Sequence, residues 1–414
     1  MPQQNQTEVL VVGAGPVGMM TALLAAQHGL RTAIIDQKSR TARHSYACAL
    51  HPASLALLAR AGILPDVIKL GLRVETVALF DGTARQTRIK LSDLPGQHPF
   101  AVVLPQFLLE ELLEEKLRAA GVQVQWHRRL AHFEANDQGV DAVIEKLPSS
   151  TRDYSIPDPG ADVRKSFKLH ADFLIGADGH NSFVRQQLGI PWLAAGEPQL
   201  FAVYEIATVE PLDHEVKLLF HDASLSVLWP LGDNKCRWSF QITSPEAGRE
   251  PVLHDHNSPI VVEPPNDRDS LEHLRRFLAE RAPWFKATIN DILWVAHAEF
   301  KQVMASRFGQ DRCWLAGDAA HQTSPAGMQS MNQGLGEAAD LIDRLKTILR
   351  DKGGMDDLQN YHLAHEAQWK RLLGLQLPAQ PVNCSSAWAT QHFPTLSASL
   401  PVSGHDLDLL LRKL

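Results

Sequence analysis

The sequence feature that most constrains the fold is the stretch 9–36, VLVVGAGPVGMMTALLAAQHGLRTAIID. Its four leading apolar residues are typical of a central parallel strand buried on both faces. Three glycines follow in G-x-G-x-x-G spacing, and a helical pattern then runs to Gly29. A second apolar run, 31–35, ends in Asp36. This order of strand, glycine loop, helix, strand and acid predicts a dinucleotide-binding unit.

Each glycine has its own physical role in such a loop. Gly13 permits a tight turn, Gly15 lets a pyrophosphate approach the backbone, and Gly18 lets the helix pack closely on the strand. The helix N-terminus offers unpaired N–H groups and partial positive charge to phosphates. Asp36 lies about 20 residues downstream, where its carboxylate can accept ribose hydroxyls. An acid at this position favours FAD or NAD over NADP.

Composition restricts the class of protein. The chain has 414 residues and a net charge of −7 without a clustered basic face, which argues against nucleic acid as a partner. Its four cysteines are scattered and its 19 histidines form no metal motif, so we expect reduced thiols and no metal site. No signal peptide or membrane-spanning run is visible, which favours a soluble cytoplasmic protein.

The remaining pattern predicts two kinds of sheet and several long helices. A hairpin is predicted over 76–91, with its turn at Asp81-Gly82. Short strands at even spacing over 201–243 predict an antiparallel meander. Ser270 is predicted to cap a helix. Other helices are predicted over 104–120, 333–350 and 355–373, with a short closing helix over 406–414.

Aromatic residues of the meander are candidates for a substrate pocket on its covered face, and they are Tyr204, Phe220, Trp229 and Trp238. The alternative is that they are core residues only. The pattern does not decide between the two.

Two further segments place acids directly after strands. They read FLIGADGHNSFVR at 173–185 and WLAGDAAHQTSPAGMQSMNQG at 314–334. A strand that ends in Gly-Asp lets the backbone reach a sugar-alcohol chain while the carboxylate binds its hydroxyls. The chain from Gly327 to Asn332 leads into a helix, whose N-terminal N–H groups can stabilise negative charge on a bound group.

In order and content, the three segments resemble the single-component, FAD-dependent aromatic hydroxylases, the group A flavoprotein monooxygenases typified by para-hydroxybenzoate hydroxylase. The resemblance covers roughly residues 8–345. It implies a Rossmann-like α/β FAD-binding domain of the glutathione-reductase type, with an interleaved antiparallel substrate sheet and C-terminal helices. The implied FAD-binding domain takes 1–75, 100–190 and 296–345, the substrate domain 76–99 and 191–295, and the helical region 346–414.

The resemblance also implies the site residues. Asp178-Gly179 matches a motif implicated in FAD and NAD(P)H pyrophosphate binding, closed by Arg185. Pro325, Gly327 and Met328 would surround the flavin ring, with no acid–base residue assigned. The implied cofactor contacts are Gly13, Gly15, Pro16, Val17, Gly18, Asp36, Gln37, Arg43, Gln106, Asp178, Gly179, Gly317, Asp318, Pro325, Gly327, Ser330, Met331 and Asn332.

The implied activity is NAD(P)H- and FAD-dependent hydroxylation of an aromatic or other electron-rich substrate through a flavin hydroperoxide. NAD(P)H would bind only transiently. A flavin-dependent dehydrogenase or reductase, a halogenase, and a flavin-binding protein without oxygenase activity remain alternatives. Ser324, Met328 and Ser330 depart from the usual family residues, and Glu337 replaces a frequent Asp. Of these, the bulkier Met328 and Ser330 would change the space beside the ring. His321 is interpreted as a buried structural histidine.

The partners follow from the same resemblance. We expect a small aromatic substrate, with a macromolecular one left open, and a monomer or homodimer. The segment 376–414 has no assigned role from sequence: covering the pocket, recruiting a large substrate and contacting a second copy all remain open.

Overall fold

The computed structural model describes residues 6–39, 47–148, 165–222, 224–242, 260–263, 268–376 and 386–414, with the backbone alone at 260–263, 268 and 269. Its strands are β1 (Gln6–Val12), β2 (Thr32–Ile35), β3 (Ala49–Leu50), β4 (Leu72–Val74), β5 (Thr76–Asp81), β6 (Ala84–Lys90), β7 (Ala101–Val103), β8 (Val124–Gln125), β9 (Arg128–Asn136), β10 (Gly139–Lys146), β11 (Ser166–Gly176), β12 (Trp192–Ala194), β13 (Gln199–Thr208), β14 (Glu215–His221), β15 (Ser224–Gly232), β16 (Lys235–Ile242), β17 (Ile260–Glu263), β18 (Ile289–Phe300), β19 (Val303–Ala305), β20 (Gly309–Gln310), β21 (Cys313–Leu315) and β22 (His321–Gln322).

The helices are α1 (Pro16–Gln27), α2 (Pro52–Arg60), α3 (Leu64–Leu70), α4 (Gln106–Ala119), α5 (Phe183–Gln187), α6 (Arg268–Arg281), α7 (Gln329–Arg350), α8 (Asp356–Leu372), α9 (Ala387–Gln391), α10 (Phe393–Ser399) and α11 (His405–Leu411). Two 3₁₀ turns, Leu91–Asp93 and Gly317–Ala319, complete the regular elements of the described residues.

The first sheet is the dinucleotide-binding sheet that the glycine motif predicts. Its parallel strands lie in the order β21–β11–β1–β2–β8, and β20 adds an antiparallel edge. Strands β9 and β10 extend it as an antiparallel ribbon beside β11. Helix α1 is buried along most of its length and packs against α4, α7, β1 and β2. The predicted Rossmann-like α/β fold is therefore confirmed.

The second sheet is mixed and has the order β17–β18–β13–β16–β15–β14–β5–β6. The predicted hairpin is present as β5 and β6, and it joins this sheet because β5 pairs with β14 in parallel. Two small sheets, β12–β19–β22 and β3–β7–β4, lie outside both larger ones. Strand β12 therefore pairs outside the second sheet, although it falls within the segment predicted for the substrate domain.

The prediction of a simple meander over 201–243 is wrong in one respect. Strands β14, β15 and β16 form a meander, but β13 lies between β16 and β18. The β15–β16 turn is tight, with positive φ at Asp233 and Asn234, and such a turn forces its strands to pair. The longer connection 209–214 imposes no such pairing on β13 and β14.

The four candidate aromatic residues do not share one face of the second sheet. Phe220 and Trp229 belong to the core shared with the first sheet, and we call this side the inner face. Tyr204 and Trp238 lie directly opposite each other in the register and belong to a separate core against α6, on the outer face. The prediction that all four line one pocket is wrong. Side chains alternate between the two faces along each strand, and the positions of these four residues put two on each face.

The predicted cap at Ser270 is also wrong, because α6 begins two residues earlier at Arg268. Errors of this size are usual at helix ends. The predicted long helices are present as α4, α7 and α8, and α7 begins four residues before the predicted start.

In the described part of the chain, every helix is too short or too polar to cross a lipid bilayer. The same residues contain no group of three or more His, Cys, Asp and Glu side chains placed to hold a metal ion.

The outer-face core gives the first testable prediction. Trp238 is fully buried and stacks on Phe240 with ring centroids 5.2 Å apart. We expect Trp238→Ala to lower the free energy of unfolding by about 3–5 kcal/mol, since it leaves a large cavity. Phe183→Ala, at a side chain 38% exposed, should change it little. Urea denaturation of both variants checks this. A Trp238→Ala variant with wild-type stability would contradict it.

Candidate active site

The glycine loop after β1 is held by backbone-to-backbone contacts. Gly13 has φ +104°, and a Cβ there would lie 2.2 Å from the carbonyl oxygen of Ala177, just after β11. A Cβ on Gly18 would lie 2.0 Å from the carbonyl oxygen of Gly13. Both glycines are therefore required by packing, and the loop is fixed against the end of β11.

Gly15 differs from its two neighbours in the motif. No heavy atom lies within 4 Å of the position that its Cβ would take. Helix α1 begins next to it at Pro16 and has no side-chain cap, so its first N–H groups lack helical partners. Open space beside uncapped N–H groups is what a pyrophosphate needs.

Asp36 closes the same loop from β2. One carboxylate oxygen accepts the Ala14 N–H at 2.7 Å, and the other accepts the Lys38 N–H at 2.7 Å. These two bonds orient the carboxylate and tie the glycine loop to the end of β2. A carboxylate has about four acceptor positions, so Asp36 keeps capacity for ribose hydroxyls.

The second motif forms a compact turn after β11. One oxygen of Asp178 accepts the Ser182 hydroxyl at 2.5 Å, and the other accepts the Val184 N–H at 3.1 Å. Desolvation raises the pKa of the Asp178 carboxyl, and these hydrogen bonds oppose that rise. Arg185 is buried, donates to the Ile190 carbonyl at 2.9 Å and stacks over Trp192 at 3.9 Å.

The third motif brings Gly317 and Asp318 beside α1. Gly317 has φ +65°, and a Cβ there would lie 3.0 Å from Val17 Cγ2. A Cβ on Gly334 would lie 2.7 Å from the same atom. Asp318 remains exposed at this junction, although the surrounding protein desolvates it enough to raise the pKa of its carboxyl. An accessible carboxylate surrounded by protein is the expected arrangement at the floor of a cleft.

A buried carboxylate, Glu337 on α7, holds this motif in place. Its Oε2 accepts the Gly317 N–H at 2.8 Å and lies 2.9 Å from His321 Nε2, and its Oε1 accepts the Trp369 indole N–H at 2.8 Å. Burial alone would raise the pKa of Glu337, but His321 and the Gly317 N–H outweigh it and lower the pKa. His321 is fully buried and stacks on Trp369 with ring centroids 3.7 Å apart, which agrees with a structural histidine.

A second network holds the chain at Gly327 and Met328. His51 Nε2 lies 2.8 Å from the Gly327 carbonyl oxygen, which can only accept, so this nitrogen carries the proton. Asn332 donates to the carbonyls of Ala49 and Met328 at 2.9 and 2.8 Å, and its Oδ1 accepts the backbone N–H of His51 at 2.8 Å.

The same network determines the environment of Asn332 and Met328, two residues expected at the cofactor. The Ser54 hydroxyl also donates to Asn332 Oδ1 at 2.7 Å, so the side chain of Asn332 uses its full hydrogen-bonding capacity within the protein. Asn332 therefore orients the loop, and its side chain is not available to FAD. Met328 has φ +54°, directly before the uncapped N-terminus of α7.

The C-terminal segment, residues 386–414, folds onto this loop. A Cβ on Gly327 would lie 2.3 Å from the Ala398 carbonyl oxygen, so the glycine is required by the C-terminal segment rather than by a ligand. Gln329 Nε2 donates to the carbonyls of Leu400 and Val402 at 2.9 and 2.8 Å. These contacts make the C-terminal segment a wall of the site.

The inner face of the second sheet carries a buried ion pair. Arg237 is 2% exposed and pairs through Nε with Glu205 at 2.9 Å. Arg237 also lies directly opposite Trp229 in the register, on the same face. Trp229 Nε1 is buried and has no hydrogen-bond partner among the described residues.

The other implied contacts occupy varied positions. Gln37 is exposed, and Pro325, Ser330 and Met331 are half-buried around the start of α7. Gln106 accepts the Ala47 N–H at 3.1 Å, so it orients the chain next to that position. Arg43 lies outside the described residues.

The sequence alone did not reveal several residues of the site. They are the hydrogen-bonding partners His51, Gln329, Glu337 and Trp369, and the ion pair Glu205–Arg237. Only Glu337 gave a signal, as a departure from the usual Asp. Each of the others contacts a residue far away in the chain, which a local pattern does not reveal.

The donor set fits FAD. The open position at Gly15 and the uncapped start of α1 suit a pyrophosphate, and Asp36 suits a ribose. The accessible carboxylate of Asp318 suits the ribityl hydroxyls, and the uncapped start of α7 suits an electron-rich ring. Val17 joins these parts because it contacts Gly317 and Gly334.

Comparison with known proteins agrees with this fit. The sequence profile of the FAD binding domain family matches residues 6–373. The chain belongs to this family. FAD is therefore the cofactor of this chain, and the fit described above is to FAD.

Two curated relatives illustrate the family. The chain is 27% identical over 365 residues to 6-methylpretetramide 4-monooxygenase of Streptomyces rimosus, covering 87% of this chain and 59% of that protein. It is 25% identical over 375 residues to pentachlorophenol 4-monooxygenase of Sphingobium chlorophenolicum, covering 90% and 64%. The chain thus spans about three fifths of the length of these relatives.

Among solved structures, p-nitrophenol 4-monooxygenase PnpA from Pseudomonas putida DLL-E4 has the same fold. The TM-score is 0.70 at 20% sequence identity, and the match covers 99% of this chain and 94% of that one.

The glycines of the flavin site give a matched set of variants. Gly15→Ala should fold normally, because its methyl group meets no atom, and should weaken FAD binding by about tenfold or more by displacing a charged hydrogen-bonding group. Gly18→Ala should lower stability by about 1–3 kcal/mol or more through the clash with Gly13. Gly336→Ala, on α7 with no atom within 4 Å, is the control and should be stabilising or neutral. Thermal melts and FAD titration check this, and normal FAD affinity in Gly15→Ala would contradict it.

His51 gives a prediction for pH. Desolvation lowers its pKa to about 3, against the opposing hydrogen bond to Gly327. Below about pH 6.5, His51 therefore binds a proton in the unfolded chain but not in the folded chain. The free energy of unfolding has its full value above that pH. It falls by up to about 1.4 kcal/mol for each pH unit below it.

Replacing His51 by Gln, which can still donate to Gly327, should reduce that dependence. Urea denaturation at pH 7.5 and pH 5.5 measures the difference between wild type and His51→Gln. Equal pH dependence in the two proteins would show that His51 is not the group responsible.

Proposed function

We propose that the protein is an NAD(P)H- and FAD-dependent monooxygenase that hydroxylates a small aromatic or otherwise electron-rich substrate. The observation that carries the proposal is the convergence of three distant segments on one cradle. Gly13 contacts Ala177, while Val17 contacts Gly317 and Gly334. This convergence supports a single bound flavin whose ring lies along the loop before α7.

In this proposal each of the two large sheets serves one ligand. The first sheet, with α1 and α7, binds FAD, and the second sheet presents its inner face to the substrate. This division assigns β5 and β6 to the substrate domain and places β12 with the small sheet of β19 and β22. The contacts proposed for FAD are Gly13, Gly15, Pro16, Val17, Gly18, Asp36, Asp178, Gly179, Gly317, Asp318, Pro325, Ser330 and Met331.

When bound, FAD would supply the redox chemistry, which is hydride acceptance from NAD(P)H and activation of dioxygen. The chain's own residues bind, orient and exclude water. The N-terminus of α7 stabilises negative charge at the ring, and His51 fixes the carbonyl of Gly327 without changing charge near neutral pH. The C-terminal segment excludes water by packing on Gly327 and Gln329.

A small aromatic substrate is supported by the composition of the inner face. Phe220 and Trp229 provide apolar rings, and the buried indole N–H of Trp229 can donate to a substrate oxygen. The buried Arg237–Glu205 pair adds a fixed dipole beside them. The names of the two curated relatives, 6-methylpretetramide 4-monooxygenase and pentachlorophenol 4-monooxygenase, agree with this class. The C-terminal segment packs against the loop at Gly327 and Gln329 and covers that part of the site. A small molecule is therefore favoured over a macromolecule as the substrate.

The test is a substrate panel on the purified, FAD-loaded chain. Phenols and polycyclic phenols should stimulate NAD(P)H oxidation, and mass spectrometry after reaction under ¹⁸O₂ should find one labelled oxygen in the product. A chain that takes up no FAD would overturn the whole proposal. A chain that binds FAD and oxidises NAD(P)H without labelled product would instead be a dehydrogenase, and a chloride-dependent product would indicate a halogenase.

A matched pair of variants tests the assignment of the inner face. Trp229→Phe should raise KM by about two- to tenfold, because one donated hydrogen bond is lost. Trp238→Phe, on the outer face of the same sheet, should leave KM unchanged. Equal effects of the two substitutions would contradict the assignment.

A further inference from the structure

A cavity on the outer face of the second sheet lies apart from the flavin site. Its volume is about 360 Å³, within the range of small-molecule pockets. Its walls are mainly apolar and aromatic and include Leu212, Leu228, Cys236, Trp284 and Phe285. Leu228 is the strand neighbour of Trp229, so the cavity and the inner face lie on opposite sides of the same strands.

Lys217 brings a buried charge to this cavity. Its side chain is 9% exposed, and its nearest carboxylate oxygens, on Asp213 and Glu215, lie 3.7 and 3.8 Å away. Both distances are longer than a hydrogen bond. Burial lowers the pKa of Lys217, although both carboxylates oppose that change. An anion placed in the cavity would give this buried ammonium group a hydrogen-bond acceptor closer than either carboxylate.

The two carboxylates nearest to Lys217 are already engaged or screened. Glu215 is buried, and its Oε1 already accepts from Arg85 and Arg88 at 2.6 Å each. Asp213 is mostly exposed, so water screens its charge. Lys217 is therefore the buried charge of the cavity lining, and one added negative charge matches it better than two. The exposed side chains of Glu210 and Lys286 in the lining contribute opposite charges.

An aromatic wall with a free donor completes the cavity. Trp284 stacks on Phe80 with ring centroids 4.9 Å apart, and Lys217 Nζ lies 5.8 Å from the centre of the Trp284 ring. The indole Nε1 of Trp284 is buried and has no hydrogen-bond partner in the described part of the chain. One ammonium group and one indole N–H can serve the two oxygens of a carboxylate, while the rings pack against an aromatic ligand.

We propose that this cavity is a second binding site, which takes a small aromatic monocarboxylate through Lys217 and Trp284. The site is independent of the flavin, because its residues lie on the outer face. Its ligand is distinguished from the substrate by where it binds and by the absence of contact with the FAD cradle.

The experiment is isothermal titration calorimetry on the FAD-loaded chain with 1-naphthoate as the probe. Wild type should bind 1-naphthoate saturably and bind the uncharged 1-naphthalenemethanol at least about tenfold more weakly, since a charged hydrogen bond is missing. Lys217→Met should weaken naphthoate binding by a similar factor. Lys69→Met, at an exposed lysine on α3, is the control and should bind as wild type does.

Trp284→Phe provides a second, milder variant that keeps an aromatic ring and removes the N–H, and it should weaken binding by about two- to tenfold. The proposal is overturned if wild type shows no saturable binding, or if Trp284→Phe binds with wild-type affinity. It is also overturned if Lys217→Met binds normally, or if naphthoate shifts the flavin absorption spectrum and so binds at the inner face.

Discussion

The contact between the backbone after β1 and the backbone after β11 is the constraint on which the flavin site depends. Gly13 lies against Ala177, and Gly18 lies against Gly13, at separations that admit no side chain. Because these contacts are between main-chain atoms, no rotamer change can relieve a clash there. The first two motifs are therefore one rigid unit. Gly15, which has open space beside it, is held in position by Gly13 and Gly18, which have none.

Glu337 extends that rigidity to the third motif. A buried carboxylate is costly unless its oxygens are satisfied, and this one is bonded to a backbone N–H, a histidine and an indole. The longer Glu in place of the usual Asp reaches Trp369 on α8 as well as Gly317. The segment of Gly317 and Asp318 is thus held by a helix that none of the three motifs includes.

The C-terminal segment and the second sheet complete the site from outside the nucleotide fold. Gly327 lies between His51, which donates to its carbonyl oxygen, and the backbone of Ala398. The loop before α7 is therefore fixed from both sides. The second sheet places Trp229 and the Arg237–Glu205 pair on the inner face and Lys217 on the outer one. Alternation along its strands therefore separates two chemically different surfaces that lie only one sheet apart.

The sequence by itself determined the nucleotide fold and the three motifs, because glycine spacing, apolar runs and an acid after a strand are local consequences of backbone sterics and burial. Only the tertiary structure decided which aromatic residues share a face, since Tyr204 and Trp238 left no local sign of their burial under α6. It also decided that Asn332 holds the loop and that residues 386–414 cover it. Those outcomes depend on partners such as His51 and Ala398, which lie far away along the chain and are brought close only by folding.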